Sequence, residues 1–564
     1  MDLMQAFEHA ALNVARWELD QAEQRLRQIV AEAPHAAPRA HAELAIALSL
    51  QGRGPDALAE IEKAVALAPH DATILQNQLI LEKLREPEAP ARFLDLHRAF
   101  GARFTPAGGC LAEARAIDPN KKLKTAYLGV DAHTALKRFM PILAEHHDRS
   151  RFDLVFCHGL ADLPALEAAR ARWPHVHHVA TRDISARHYA RALAHLGIDI
   201  AVDLSGHGLG GTLQALAYRP ALLQVTWLDY VAGTGVPAID FRVADAVTDP
   251  DDNRSTEPVL RLPFAQWCAV PPPEPADQPQ ADDQRPPTLG LINVTVKLSA
   301  RLLNWAARIL ERVPEARLLV LGLTGQQARA HALSLLPEAL HARIDLFDRV
   351  DEATYHELVA TVDLCLDPPV FSGATSTLDA LAAGIPVLSC PGHLPHTRSS
   401  ASILETLNLQ PWIAATDDAL IDQAVQMLEH VELMRGRRHS LREQVLASSL
   451  HQGPTFVAAL EQLLAEAWSS KAQHHQARSA AQWVQAVNAA IQAQSPQQAI
   501  YALEGLTLYQ APDGLLRRLA IAYNQLGVQW LKHGARFEAA RHFEMALEID
   551  PQQADAAHNL QQCR

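Results

Sequence analysis

The feature that most limits the fold is a stretch that cannot belong to a core. Residues 271–287 open with Pro271-Pro-Pro-Glu-Pro275 and close with Arg285-Pro-Pro287, with polar residues between. Proline fixes φ and removes an amide donor, so such a stretch is a linker. On either side of it, apolar runs of strand length alternate with helical segments. Before it stand Thr125–Val130, Phe152–Cys157, Ile198–Leu204 and Leu222–Leu228. After it stand Thr288–Ile292, Arg317–Leu323, Ile344–Phe347, Val362–Asp367 and Ile385–Cys390. Ser185–Leu196 and Ser299–Val313 carry helical periodicity between them. Two such series predict two doubly wound α/β domains, over 120–270 and 288–470, facing a cleft.

Outside this region the pattern is helical and repeats. Near the C-terminus Ala520, Tyr523, Leu526, Gly527, Gly534, Ala539, Phe543, Ala546 and Pro551 fit the 34-residue tetratricopeptide frame. Small residues let paired helices approach, aromatic residues fill the gap to the next repeat, and proline ends the second helix. Ala45, Gly52, Ala57, Ala64 and Pro69 follow the same frame more loosely, with Ala10, Ala22 and Pro34 one repeat earlier. Residues 1–115 therefore predict three helical hairpins and 475–564 two more; a generic helical bundle is the alternative at the N-terminus.

The formal net charge of −14 argues against a nucleic-acid partner. Six cysteines without a Cys-x-x-Cys pair suggest reduced core residues and a cytoplasmic protein. Neither a signal peptide nor a membrane span is expected. The 28 histidines show no metal-ligand spacing, and Asp249-Pro-Asp251-Asp252 is expected to be a solvated loop.

Chemistry is sought at the C-terminal strand ends. Ser205-Gly206-His207-Gly208-Leu-Gly210-Gly211 follows a strand, and its amides would suit an anion. Arg219-Pro220, Gln224, Trp227 and Gly233-Thr234-Gly235 come next. In the second half, Asn293-Val-Thr-Val-Lys297 links a strand to a helix. A lysine there meets an unfavourable dipole unless an anion lies between, which points to a diphosphate. Ser372-Gly373-Ala374-Thr375-Ser376-Thr377-Leu-Asp379 runs from a strand into a helix. Its hydroxyls and amides can hold phosphate oxygens, and Asp379 can accept ribose hydroxyls. N-capping by Thr375 or Ser376 is compatible with that role.

From about residue 124 to 410 these blocks, in order, resemble the catalytic region of the O-GlcNAc transferase/SPINDLY family in a divergent, bacterial-type form. The blocks are Asp203–His207, Arg219-Pro220 with Gln224 and Trp227, Gly233–Gly235, Asp240–Asp245, Lys297, Thr375-Ser376…Asp379, and Pro391-Gly392 with Arg398 and Ala401-Ser402. The resemblance implies an inverting, metal-independent transferase of GT-B fold, needing no cofactor. It would move GlcNAc or another hexose from a nucleotide-diphosphate donor, a UDP-sugar first, to Ser or Thr of a protein. Lys297 would hold the diphosphate with Asn293, Thr375 and Ser376, and Asp379 the ribose. His133 would be the active-site histidine beside the acceptor. His207, Gly206, Gly233, Thr234 and Arg398 would line the cleft. The repeats would recruit the acceptor, with flagellin or an adhesin as examples.

The sequence departs from the family at Val294, Ala374 and Glu352, and the histidine that packs on the base is displaced to Tyr355 or His356. The lysine block and Leu407–Ile413 also resemble bacterial N-glucosyltransferases that modify adhesins. Transfer to Asn, transfer to a glycan or small molecule, and a decayed scaffold thus remain alternatives.

Overall fold

The computed structural model describes residues 3–33, 36–104, 111–114, 116–118, 121–131, 134–160, 162–182, 184–208, 212–250, 254–273, 284–508 and 513–563. Twelve strands form two parallel sheets among them. The first contains β1 (Leu123–Leu128), β2 (Phe152–His158), β3 (His177–Ala180), β4 (Ile200–Asp203), β5 (Leu223–Thr226), β6 (Phe241–Asp245) and β7 (Val259–Leu262). Its order is β3-β2-β1-β4-β5-β6-β7. The second contains β8 (Thr288–Leu291), β9 (Arg317–Val320), β10 (Ile344–Leu346), β11 (Leu364–Leu366) and β12 (Val387–Leu388), in the order β10-β9-β8-β11-β12. The fold class expected from the sequence is the one observed: two doubly wound sheets flanked by helical hairpins.

Each sheet reverses its strand order once. In the first sheet this happens between β1 and β4, where Thr125 lies opposite Ile200. In the second it happens between β8 and β11, where Leu289 lies opposite Leu364. At such a point the loops leaving the two strands diverge and open a crevice.

All nine expected strands form. β3, β6 and β7 were not expected, and each hides its pattern. β3 is an edge strand of His177-His-Val-Ala with one fully buried side chain. β6 buries Arg242, which is tolerable only because Asp249 pairs with it at 2.5 Å. Asp249 is therefore buried rather than solvated, correcting the reading of that acidic loop; Asp251 and Asp252 lie outside the described residues.

Helix Ala300–Arg312 shows how a local pattern becomes packing. Ser299 caps it by accepting from the Leu302 amide. Leu302, Leu303, Trp305, Ala306, Ile309 and Leu310 are buried against the second sheet. On the far side Arg301, Arg308 and Arg312 pair with Asp417, Asp418 and Asp422 of helix Asp417–Glu429. Helix Gly453–His474 follows the second sheet in sequence but packs on the first domain. Phe456 stacks on Trp227, and Glu461 bonds His147 at 2.8 Å. This helix ties the two halves together.

N-terminal helices Leu3–Ala15 and Leu19–Glu32, Ala37–Leu50 and Gly54–Leu67, and Ala72–Glu82 and Pro90–Phe104 form three hairpins. Ala10, Ala22, Ala45, Ala57 and Ala64 of the repeat frame are buried between them. Ala480–Gln492 with Pro496–Thr507, and Asp513–Lys532 with Arg536–Ile549, form two more, followed by helix Ala554–Cys563. A Cβ on Gly527 would lie 2.5 Å from the Phe543 ring, which explains the glycine of the frame. The described cysteines are free, and Cys157, Cys268, Cys365 and Cys390 are buried. No described helix is long and apolar enough to cross a membrane.

Candidate active site

The site is built at the switch point of the second sheet. β8 leads into Asn293–Lys297, and β11 leads into Asp367–Ala374. The Ser376 hydroxyl donates to Asn293 Oδ1 at 2.6 Å, so the two loops are joined. Lys297 Nζ donates to the Ser372 carbonyl at 2.9 Å and lies 4.1 Å from the Phe371 ring centroid. Lys297 forms no ion pair with a described residue. Burial lowers its ammonium to about 8, against the opposing fields of Asp367 and Asp229.

Asp367 holds the second loop in shape. Its buried carboxylate accepts from the hydroxyls of Ser372, Ser389 and Ser400 and from the Gly373 amide, all within 2.8 Å. Burial raises this carboxyl while these bonds oppose the shift. Helix Thr375–Ala382 begins where the loop ends. Its N-cap is Ala374, which makes no side-chain cap bond. Thr375 and Ser376 are thus first-turn residues and not caps, and the first-turn amides have no intrahelical acceptor. A lysine ammonium, two hydroxyls and a helix N-terminus therefore converge, which is an arrangement for an anion.

One turn further on, Asp379 is buried. Burial raises its carboxyl, while Arg138 and the Tyr355 hydroxyl act against that rise. Tyr355 and Asp379 are thus brought together. Arg138 comes from the other half of the molecule and pairs with Asp379 across the interdomain space. It also donates to the Val270 carbonyl at 2.9 Å. His133 lies outside the described residues.

The first-domain loops are arranged otherwise. The Ser205 and Gly206 amides donate to Asp203, and the Gly208 amide to the Ser205 carbonyl. The Thr234 and Gly235 amides donate to Glu257. These amides are occupied, which corrects the reading of the glycine loop as an anion cradle; 209–211 lie outside the described residues. Its glycines serve close approach. A Cβ on Gly206 would lie 2.5 Å from Tyr230 Cβ, and one on Gly233 2.3 Å from Thr256 Oγ1.

His207 is buried, with Nε2 2.7 Å from the Thr234 carbonyl and its ring against Phe100, His97 and Tyr230. Burial pushes it down to about 4, so it is neutral near pH 7. His207, Gly206, Gly233 and Thr234 therefore lie in the junction with the N-terminal hairpins. Arg398 donates to the carbonyls of Val247 and Gly392, bridging the two halves.

Lys83 and Arg138 escaped the sequence reading, while Asp229, Asp367 and Phe371 stood in its segments Gln224–Tyr230 and Asp367–Val387 without a role of their own. Lys83 belongs to the N-terminal hairpins, yet its Nζ donates to the Tyr230 carbonyl at 2.8 Å. Among the described residues no group of three or more His, Cys, Asp or Glu has a metal-binding arrangement.

Residues 111–258 and 291–460 match the model described as glycosyl transferase family 41. The probable UDP-N-acetylglucosamine–peptide N-acetylglucosaminyltransferase SPINDLY of Solanum lycopersicum is 27% identical over 415 residues, covering 70% of this chain and 44% of that protein. Its Arabidopsis thaliana counterpart is 27% identical over 413 residues, with the same coverage. The chain thus spans under half the length of these curated relatives. A solved Thermobaculum terrenum O-GlcNAc transferase mutant superposes with a TM-score of 0.73 at 23% identity, over 83% of this chain and 90% of that one. That likeness concerns the fold.

Proposed function

The chain belongs to glycosyl transferase family 41, and from that premise we propose that it moves a sugar from a nucleotide-diphosphate donor to a serine or threonine of a protein. The observation that carries this is Lys297, a cation without an ion-pair partner among the described residues, set beside the first turn of helix Thr375–Ala382. The leaving diphosphate gains negative charge as the sugar departs. Lysine, hydroxyls and helix amides stabilise that charge without a metal. Asn293 fixes Ser376 within the group, and Asp379 with Tyr355 would receive the ribose and base.

The reaction is a single displacement with inversion. The acceptor hydroxyl oxygen bonds to the anomeric carbon as the bond from that carbon to the diphosphate oxygen breaks. His133 would take or orient the hydroxyl proton. A UDP-sugar is the first donor to test, since the named relatives are probable UDP-N-acetylglucosamine enzymes. The helical hairpins would select the acceptor.

The test is a thermal-shift panel of UDP, GDP and CMP sugars on wild type and Lys297→Ala. A ligand at about 100 times its Kd adds about 2.7 kcal/mol of stability. One base class should raise the melting temperature of wild type, and Lys297→Ala should abolish the rise. A melt that no nucleotide moves would overturn the donor reading. Intact-mass analysis of an acceptor co-expressed with wild type and with His133→Ala then tests transfer.

A further inference from the structure

Two ammonium groups, those of buried Lys83 and half-buried Lys297, flank one aromatic ring at the edge of the site. Lys297 Nζ lies 4.1 Å from the Phe371 centroid, and Lys83 Nζ lies 5.0 Å from the same centroid. Lys83 Nζ also sits 3.5 Å from the Tyr230 centroid and donates to the Tyr230 carbonyl. Lys83 is only 6% exposed. Neither lysine forms an ion pair with a described residue. Asp229 acts on both through its field but makes no salt bridge with either.

Burying a charge without an ion-pair partner is costly, so a lysine held here needs a reason beyond one carbonyl. A neutral donor would serve the Tyr230 carbonyl equally well. Each ammonium has three N–H donors and spends one on a carbonyl, leaving two without an acceptor among the described residues. Other polar atoms nearby are also unpartnered: Arg242 Nη2 and the Nδ1 atoms of His207 and His396 are buried without a hydrogen bond. The His396 ring faces Phe371 and Phe93. Unpartnered buried polar atoms around two cations fit a site whose anion arrives from outside.

We propose that Lys83, carried by the N-terminal hairpins, is a second cation for the donor's diphosphate, so that donor binding requires those hairpins to be seated. This rests on the donor reading above and extends it: the site is incomplete without the repeats. Burial and the Lys297 charge also bring the Lys83 ammonium down to about 7 despite Asp229, and an arriving diphosphate would reverse that shift.

Calorimetric titration of the full chain with UDP and GDP, and with uridine and guanosine as diphosphate-free controls, tests the proposal. The proteins are wild type, Lys83→Gln, Lys83→Met and Lys83→Arg. Glutamine keeps a donor for Tyr230 and removes the charge, so it should weaken diphosphate binding about tenfold. Nucleoside binding should not change, and the unliganded melting temperature should stay level or rise. Arginine should restore most of the affinity. If Lys83→Gln melts lower but binds diphosphate as wild type does, Lys83 is an anchor and the proposal falls. It falls equally if both neutral variants fail to fold while Lys83→Arg folds. A wild type that binds neither diphosphate fails the donor reading itself, which is a separate result.

Discussion

The two sets of hairpins look alike in sequence and are attached in opposite ways. The N-terminal hairpins straddle both halves of the core. Gln76 donates to the His207 carbonyl, His97 bonds the Tyr230 hydroxyl, and Glu88 accepts from the His393 amide. Asp20 accepts from the Gln326 amide in the second domain. The C-terminal hairpins join the first domain, through Glu504 with Arg187 and Arg191, Tyr523 with Tyr218, and Arg541 with Gln214. One set touches loops at the cleft; the other grips the outer face of helix Ala186–Leu196. The difference teaches that the first set is placed to act on the cleft, whereas the second bears on the first domain.

The largest effect should come from breaking the C-terminal grip. Glu504 is fully buried and accepts from Arg187, Arg191 and Tyr523. Glu504→Ala leaves buried Arg187 with only the longer pair to Glu548 at 3.5 Å, at a cost of about 3 kcal/mol. Chemical denaturation measures the loss. The affinity of the folded protein for UDP should match wild type. A variant that keeps its stability but loses donor affinity would erase the distinction between the two sets.

Much of the core was legible because parallel strands buried on both faces appear as near-continuous apolar runs. Asn293, Lys297, Thr375 and Ser376 were legible because strand ends at a switch point gather glycine, hydroxyl and cationic residues. Lys83 was not. It stands in Leu-Glu-Lys-Leu-Arg-Glu, which looks like a solvated helix end, and its partner Tyr230 is 147 residues away. Arg138 was hidden in the same way, 241 residues from Asp379. The glycine loops misled for a physical reason: glycine permits approach by an anion and by a packed helix alike. At Gly235 a Cβ would lie 2.1 Å from the His97 carbonyl oxygen, so a helix occupies that space.

Acidification should separate the two sets next. His97, His207 and His396 meet between the N-terminal hairpins and the core, and burial holds all three below 6.5, His207 at about 4. Below pH 6.5 the unfolded chain binds protons that the folded chain refuses. Their contribution to stability is therefore lost as pH falls from 6.5 toward 4. Lys83 adds positive charge beside them. His542 is held at about 4 in the C-terminal set, where its ring neighbours are Tyr523 and Trp530 and not histidines. Hydrogen exchange at pH 5 should show residues 72–104 losing protection before 480–549. Simultaneous loss would mean that the histidine cluster does not set the order.

The smallest effect concerns one cap, and it asks whether the N-terminal set reaches the second domain energetically. Helix Gln326–Ser334 has Gly325 at its N-cap, which has no side chain to accept an amide, and φ there is +96°. Asp20 supplies the missing acceptor from a different part of the chain, bonding the Gln326 amide at 2.8 Å and the Gln327 amide at 3.4 Å. Losing a cap costs about 1 kcal/mol. Asp20→Ala should therefore lower stability by that amount and speed exchange in 326–334. Donor affinity should fall by less than the tenfold expected for Lys83→Gln, because Gln76, Lys83, Glu88 and His97 still hold the hairpins at the cleft. An Asp20→Ala protein with unaltered stability and exchange would leave the attachment to the second domain resting on Glu88 and on the close packing of Gly52 against Thr295 and Leu298.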